Sequence, residues 1–170
     1  RMHPHAELLA TVLLAIAAVA TAWSSYQSAR WGGVQAVDFS RANASRIEST
    51  RAATAAGQQT QIDVLTFTQW VNAYAVKDTQ LADFYFHRCR AEFKPAVNAW
   101  IATRPLKNPK APPVPFSMPQ YKLAAAAESE ELLAEAETAG AEARQSNQRS
   151  DNYVLAVVLF ASSLFFAGIS

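Results

Sequence analysis

Two long apolar runs lie at opposite ends of this chain and enclose a polar, alanine-rich middle. Neither Leu8–Trp23 nor Tyr153–Ser170 contains a charged residue. A helix needs ~20 apolar residues to cross the hydrocarbon core of a bilayer. Neither run has the polar face expected of a core helix in a soluble protein. We therefore predict transmembrane helices over 6–26 and 153–170, with the lipid bilayer as a partner.

The first run admits a second interpretation, a cleaved signal peptide, because Ala18-Val19-Ala20 resembles a cleavage site. In the transmembrane interpretation, residues 1–5 form an N-terminal tail. Glu7 follows Pro4 in the first helical turn, where the helix dipole favours an acid. Trp23 and Tyr26 then fall at the far interface, as aromatic residues commonly do.

The second run is preceded by Arg149 and Asp151 but has no polar flank at its end. Membrane helices usually close with interfacial or basic residues. The expectation is that the natural chain continues past Ser170.

The middle of the chain predicts helices, since it is rich in Ala and the whole chain has only five Gly. After Trp23 a weak heptad seam of mostly small residues suits closely approaching helices. Gly57 leaves two alternatives: a break that gives four antiparallel segments, or an unbroken helix to Ala75. The unbroken helix is preferred because Gly57 has neither a proline nor a cap residue beside it. The seam consists of Tyr26, Gly33, Val37, Ser40, Ala44, Ile47 and Thr54.

The extramembrane helices are predicted to occupy 27–104, with a turn near 76–79. Asp78 or Thr79 is a suitable N-cap for the next helix. Pro95 should kink that helix or mark a fresh first turn. The helix should end at Arg104-Pro105.

Residues 105–119 contain six prolines, a density that excludes a helix or a central strand. They predict an extended, polyproline-like connector, either a stiff linker or a ligand for a proline-recognition domain. A last extramembrane helix over 120–152 then continues into the second span. Its predicted packing face is again small: Leu123, Ala126, Leu133, Gly140, Ala143 and Asn147. The predicted fold is therefore all-α, with transmembrane helices extended into a long antiparallel helical or coiled-coil domain.

Charge is segregated along the extramembrane part. Antiparallel packing across the connector should bring a basic block beside an acidic block, and the acidic block disfavours nucleic acid as a partner. The basic block is Arg88, Arg90, Lys94, Arg104, Lys107 and Lys110, and the acidic block is Glu128, Glu130, Glu131, Glu135, Glu137 and Glu142.

Sequence motifs for catalysis, metals or nucleotides are weak. His3 and His5 admit a metal or proton site, although a disordered N-terminus is the simpler interpretation. His87 and Cys89 diverge by about half a turn of a helix, so sharing a metal is difficult. Cys89 is the single cysteine and excludes a disulfide framework. We therefore predict no catalytic residue, no metal and no cofactor.

Candidate interaction residues come from a surplus of aromatic side chains, which either fill a core or contact other subunits. They are Trp70, Tyr74, Phe84, Tyr85, Phe93 and Trp100. Three polar residues in the spans are further candidates. Glu7 would form a ring of carboxylates around a subunit axis. Ser162 and Ser163 would face such an axis or bond back to their own helix.

The strings AWSSYQSARWGGVQA (22–36) and DNYVLAVVLFASSLFFAGIS (151–170), together with the proline-rich connector, resemble a group of small bacterial inner-membrane proteins of no assigned function. The resemblance implies a multi-pass protein of the bacterial inner membrane, with a further span after the second. The resemblance assigns no functional residues.

The function expected is a non-enzymatic, membrane-anchored helical scaffold that self-associates or joins a larger membrane complex. The alternatives are a sensory input module of a membrane receptor and a subunit of a channel or transporter. Basic residues near the spans (Arg30, Arg41, Arg144 and Arg149) favour a cytoplasmic extramembrane domain, although long loops follow the positive-inside rule poorly.

Overall fold

A computed structural model describes residues 4–169 of the chain. Four α-helices occupy most of this range, and no strand occurs between residues 4 and 169. The prediction of an all-α fold is confirmed. The helices are α1 (Pro4–Ala75), α2 (Thr79–Arg88), α3 (Lys94–Ala102) and α4 (Ala124–Ile169), with one short 3₁₀ turn at Pro115–Ser117.

Helix α1 continues through Gly57 without a break. A Cβ atom added at Gly57 would meet no neighbour within 4 Å, so the glycine serves no close approach there. An isolated glycine costs a helix only ~1 kcal/mol relative to alanine, which the rest of α1 absorbs.

The turn after α1 is built as the sequence indicates. Lys77 adopts a left-handed backbone conformation with φ of 63°, and the Asp78 N–H donates to the Ala73 carbonyl at 3.0 Å. The Asp78 carboxylate then accepts the Leu81 backbone N–H at 3.0 Å. Asp78 is therefore the N-cap of α2.

The expected helix from Asp78 to Arg104 is two helices. α2 ends at Arg88, and α3 begins at Lys94 with Pro95 in its first turn. Proline suits that position because its missing N–H would have no partner there. Of the two alternatives for Pro95, the structure has the fresh first turn.

The chain divides into two compact units. Unit 1 contains residues 1–45 and 134–170, and unit 2 contains residues 46–133.

In unit 1, α1 and α4 are antiparallel and meet through small side chains. Ser28 contacts Ser150, and further along α1 Arg41 pairs with Glu135 at 2.8 Å. The prediction of the seam on α1 is wrong: its residues lie on a side of the helix that does not face α4, since Tyr26 and Val37 are exposed. The predicted face of α4 is right at Gly140 and Ala143 and wrong at Leu133. The residues buried in unit 1 are Ser24, Ala42 and Ser45 of α1 and Ala136, Ala139, Gly140, Ala143 and Ser146 of α4.

A serine pair joins the two helices in unit 1. The Ser150 hydroxyl donates to the Ser28 backbone carbonyl at 3.0 Å, and the two hydroxyl oxygens are 3.1 Å apart. A side chain as short as serine reaches the backbone of a neighbouring helix only when the two helices approach closely. Small residues on both helices permit that approach.

Unit 2 contains a second, reciprocal serine pair. Ser49 donates to the Ser129 carbonyl at 2.8 Å, and Ser129 donates to the Ser49 carbonyl at 2.9 Å. Ala52 and Ala56 continue the buried side of α1 in this unit. Each pair satisfies part-buried hydroxyl groups while joining α1 to α4.

The proline-rich connector is folded rather than extended. Its Pro115 is buried at the start of the 3₁₀ turn, and the Phe116 ring stacks on Phe93 with centroids 5.0 Å apart. The Trp100 indole N–H donates to the Pro112 carbonyl at 2.7 Å. Apolar residues between the prolines have a core to enter, and their burial holds the connector against it. Helix α4 accordingly begins at Ala124, after the predicted start near residue 120.

Two helices are apolar and long enough to cross a membrane, judged by length and composition: Glu7–Ala75 within α1 and Ala124–Gly168 within α4. The side chains in their most apolar stretches are almost entirely unburied by the rest of the chain. Val19 is 70% exposed and Phe166 is 69% exposed. The most apolar stretches of the two helices are therefore not buried within the described fold.

We predict that Ala143→Leu destabilises the chain by about 1–3 kcal/mol, since leucine overfills the contact between α1 and α4. Ala143 is fully buried in unit 1. Ala141→Leu is the matched control because Ala141 is exposed on the same helix. Thermal unfolding followed by far-ultraviolet circular dichroism measures both variants. Equal melting temperatures for the two would contradict the assigned contact.

Candidate functional site

A cluster of aromatic rings forms the core of unit 2. Phe67 is at its centre, and its ring makes edge contacts with Trp100 at 5.3 Å and with Phe93 at 6.3 Å between centroids. Such edge-to-face pairs stabilise by about 0.5–1.5 kcal/mol beyond the apolar area that they bury. The cluster therefore holds α1, α3 and the connector together. Its rings belong to Phe67, Trp70, Phe93, Trp100, Phe116 and Tyr121.

A buried carboxylate lies beside this cluster. Asp63 is 0% exposed. The Arg90 guanidinium donates to its two oxygens, from Nε to Oδ1 at 3.0 Å and from Nη2 to Oδ2 at 3.2 Å. Arg90 also donates from Nη1 to Glu92 at 2.9 Å. The Tyr121 hydroxyl lies 3.2 Å from Asp63 Oδ2 and 3.3 Å from Thr60 Oγ1.

Sequence reasoning missed Asp63 because it occurs in a run chosen for its apolar residues. A signal was present, since Ala52, Ala56, Asp63 and Trp70 share one helical side at successive spacings of four, seven and seven residues. A charged residue in that series requires a partner. The partner, Arg90, lies in the gap between α2 and α3 and is assigned by the fold.

The buried pair also changes the titration of its neighbours. The hydrogen bond with Asp63 raises the pKa of Arg90. Burial raises the pKa of the Tyr121 phenol, the Thr60 hydrogen bond opposes that rise, and the Asp63 charge adds to it. Burial likewise raises the pKa of the Cys89 thiol, and the Asp63 charge adds to the effect. The thiol is therefore less nucleophilic than an exposed one.

An open cleft lies at the edge of the aromatic cluster, between the end of α1 and the end of α3. We call it the Trp70 cleft, and its volume is ≈ 390 Å³. Its apolar walls are Trp70, Val71, Tyr74, Trp100 and Ile101, and the turn Arg104–Lys107 forms its rim. A neighbouring cleft of ≈ 550 Å³ shares part of these walls and also contains Lys77, Asp78 and Asp83.

The six predicted interaction residues fall into two groups. Trp70, Phe93 and Trp100 are buried in the core of unit 2, and Tyr85 is half-buried against it. Tyr74 and Phe84 are 50% and 46% exposed. Core packing accounts for the first group, while an interaction role for the exposed pair stays a prediction.

The predicted polar residues of the two spans are exposed. The Glu7 carbonyl accepts the Thr11 hydroxyl at 2.9 Å. Ser162 donates to the Val158 carbonyl at 2.7 Å and Ser163 to the Leu159 carbonyl at 2.9 Å. Of the two alternatives for these serines, the structure has the bonds back to their own helix.

Arg90 belongs to the basic block, which is expected to pair with the acidic block. Its partners are instead Asp63 and Glu92, neither of which is in that acidic block. The acidic residue Glu135 instead pairs with Arg41 of α1. Local geometry explains the difference: Asp63 is buried and must be neutralised, whereas the glutamates of α4 remain solvated.

No group of three or more His, Cys, Asp or Glu side chains that could hold a metal occurs in the described residues. The side chains of His3 and His5 lie outside them. His87 Nδ1 is 2.7 Å from the Asp83 carbonyl, and the buried Cys89 thiol donates to the Tyr85 carbonyl at 3.6 Å.

No protein-family model, curated protein or solved structure matches this chain. The resemblance to small bacterial inner-membrane proteins therefore stays a hypothesis.

Arg90→Met should destabilise unit 2 by about 3 kcal/mol, because it leaves the Asp63 charge buried without its cation. Near-ultraviolet circular dichroism of the aromatic cluster during thermal unfolding measures the loss. The matched control is Arg88→Met, since the exposed Arg88 guanidinium lies over the Phe84 ring and donates only a long, 3.5 Å hydrogen bond to the Phe84 carbonyl. Adding Asp63→Asn to Arg90→Met should recover part of the stability. If Arg90→Met behaved like Arg88→Met, the pair would have no structural role.

Tyr121→Phe should lower stability at neutral pH by about 1–2 kcal/mol, through the lost hydrogen bond to a charged acceptor. The gap should close as pH rises above ~10, the ordinary pKa of tyrosine. There the unfolded phenol ionises first, since the folded pKa is raised, so the native protein loses stability that the variant never had. Denaturant titrations across this range measure the gap, with Tyr74→Phe as an exposed control. A gap that stayed constant with pH would contradict the assignment.

Proposed function

We propose that the chain is a non-enzymatic, membrane-anchored interaction protein that associates with a second copy of itself. In this proposal the apolar ends of α1 and α4 cross a bacterial inner membrane. The remaining parts of α1 and α4, with α2, α3 and the connector, form an extramembrane domain.

The unburied apolar side chains at the helix ends support the membrane part of the proposal. Leu13 and Val19 of α1 and Leu159 and Phe165 of α4 are all at least 59% exposed. Monomeric soluble proteins rarely expose contiguous apolar patches larger than a few hundred Å². Lipid tails remove the free-energy cost of exposing these side chains to water, because the tails are as apolar as the side chains themselves.

The observation that carries self-association is the outer face of α1 in unit 1, which we define as Tyr26, Gly33, Val37, Ser40 and Ala44. These residues recur at helical spacing, and all five are exposed. Val37 at its centre is 68% exposed. Small residues around a branched apolar one allow a second helix to approach closely.

The same face was found from the sequence as a helix-packing seam, yet it does not contact α4. The inner side of α1, including Ala42 and Ser45, fills that role. One helix therefore carries two packing faces in unit 1, and the chain uses one of them internally. A second copy is the simplest partner for the other, because a twofold pair would bury the same face on both chains.

A second candidate function, a sensory input module, is favoured by the Trp70 cleft. An apolar pocket with a few converging polar groups is the usual form of a small-molecule site. The two proposals are compatible, since the outer face belongs to unit 1 and the cleft to unit 2.

We expect Val37→Cys, in a Cys89→Ala background, to form disulfide-linked dimers in carbonate-washed membranes under mild oxidation. Asn43→Cys is the matched control, since Asn43 is exposed on α1 but outside the outer face. Native mass spectrometry in detergent should give a dimer or a larger assembly of the unmodified chain.

A chain removed from membranes by carbonate would contradict the anchoring. Equal cross-linking at Val37 and Asn43, together with a clean monomer in the mass spectrum, would contradict self-association.

A further inference from the structure

The Trp70 cleft has the dimensions of a small-molecule site. Its volume of ≈ 390 Å³ lies within the usual ~300–1,000 Å³ of ligand pockets. Trp70 stacks on Tyr74, with centroids 5.1 Å apart and planes inclined by 19°. Trp70 is buried and also stacks on Phe67, so the half-exposed Tyr74 ring is the part of this stack that a planar ligand can cover.

The opposite wall is fixed in place by hydrogen bonding. Trp100 meets Trp70 edge-on at 6.4 Å, and its indole N–H donates to Pro112. The Trp70 indole N–H has no acceptor among the described residues, so it remains available as a donor. A pre-formed apolar wall loses little conformational entropy when a ligand binds.

The rim of the Trp70 cleft is cationic. Arg104 and Lys107 line it, and the cleft contains no acidic residue. No carboxylate between residues 7 and 168 lies within ion-pair distance of either cation. The neighbouring cleft differs, since Lys77 shares it with Asp78 and Asp83. Charge therefore selects the Trp70 cleft as the site for an anion.

The backbone holds Arg104 at this rim in an uncommon conformation. Its φ is 53°, in the left-handed region that few non-glycine residues adopt. The Arg104 N–H donates to the Ile101 carbonyl, and the Arg104 carbonyl accepts the N–H of Lys107 at 2.8 Å. Strained residues retained by their surroundings concentrate at binding sites. The turn also brings Leu106 to the cleft, where it is 76% exposed.

From this geometry we propose that the Trp70 cleft binds a small aromatic carboxylate. The ring lies against the half-exposed Tyr74, with the edge of Trp70 as the floor of the cleft, and the carboxylate accepts hydrogen bonds from the Arg104 guanidinium and the Lys107 ammonium. A bidentate guanidinium–carboxylate pair gives orientation as well as affinity. This site does not depend on self-association, because each of its residues lies in unit 2.

The test uses the full chain in lipid nanodiscs, with 2-naphthoate as the probe in equilibrium dialysis. Saturable binding is expected. The double variant Arg104→Gln, Lys107→Gln should weaken it ~10-fold or more, because it removes charged hydrogen-bond donors. Lys110→Gln is the matched control, an exposed cation on the same connector that does not line the cleft. It should leave the affinity unchanged.

Two further arms separate the elements of the proposal. The uncharged 2-naphthylmethanol should bind the wild type and the double variant equally. Ala75→Trp should block both probes by filling the cleft from an exposed position at the end of α1, with near-ultraviolet circular dichroism to verify the fold.

Equal uptake of 2-naphthoate by wild type, double variant and empty nanodiscs would overturn the site, because that uptake is partition into lipid. Tighter binding of decanoate than of 2-naphthoate would overturn the aromatic class of the ligand. Unchanged binding in Ala75→Trp would overturn the location.

Discussion

Close contact between α1 and α4, made by alanine and serine, is the constraint on which both units depend. A serine hydroxyl that reaches the backbone carbonyl of the facing helix, as Ser150 does to Ser28 and Ser49 to Ser129, needs small residues on either side. Ala42 and Ala143 in unit 1 and Ala52 in unit 2 supply them. Any larger side chain on these faces would separate the helices and break these hydrogen bonds between part-buried hydroxyls and carbonyls.

A seam of this kind buries little apolar area, so it fixes alignment more than it supplies stability. Burial contributes ~25 cal/mol per Å² of apolar surface, and alanine offers few square ångströms. Unit 2 supplies the apolar burial that the seam lacks. Its rings around Phe67 bury a large area, and Asp63 with Arg90 specifies how α1 meets the residues between α2 and α3. A buried ion pair is weak as a source of stability but demanding in geometry.

The sequence was sufficient for the all-α class and the unbroken α1, but insufficient for the division between α2 and α3 and for the sides on which the helices pack. Composition and the Asp78 cap predicted helical segments and one turn correctly. The predicted seam lies one face away from the contact face, because α1 is rich in small residues on more than one side and a weak heptad does not distinguish them; the contact face is alanine and serine. The connector was misjudged for a related reason: proline density argues against helix and strand, but says nothing about whether Pro115 and Phe116 have a core to enter. The Trp70 cleft joins residues some thirty positions apart, so no local pattern reveals it.

Helix α1 has a different role in each unit: it packs on α4 in unit 1 and contributes to the aromatic core in unit 2. In unit 1 the inner face of α1 is made of small residues that pack on α4, which leaves Val37 and its neighbours exposed in the described chain. In unit 2 the end of α1 packs on the aromatic core through Phe67 and Trp70, which form part of the ring cluster beside the cleft. Trp100 cannot close it without giving up its bond to Pro112. Arg104 cannot leave the rim without breaking the hydrogen bonds of its turn. The packing around the cleft thus leaves an open apolar surface beside unpaired cations. An aromatic carboxylate would cover the apolar surface with its ring and neutralise the cations with its charge.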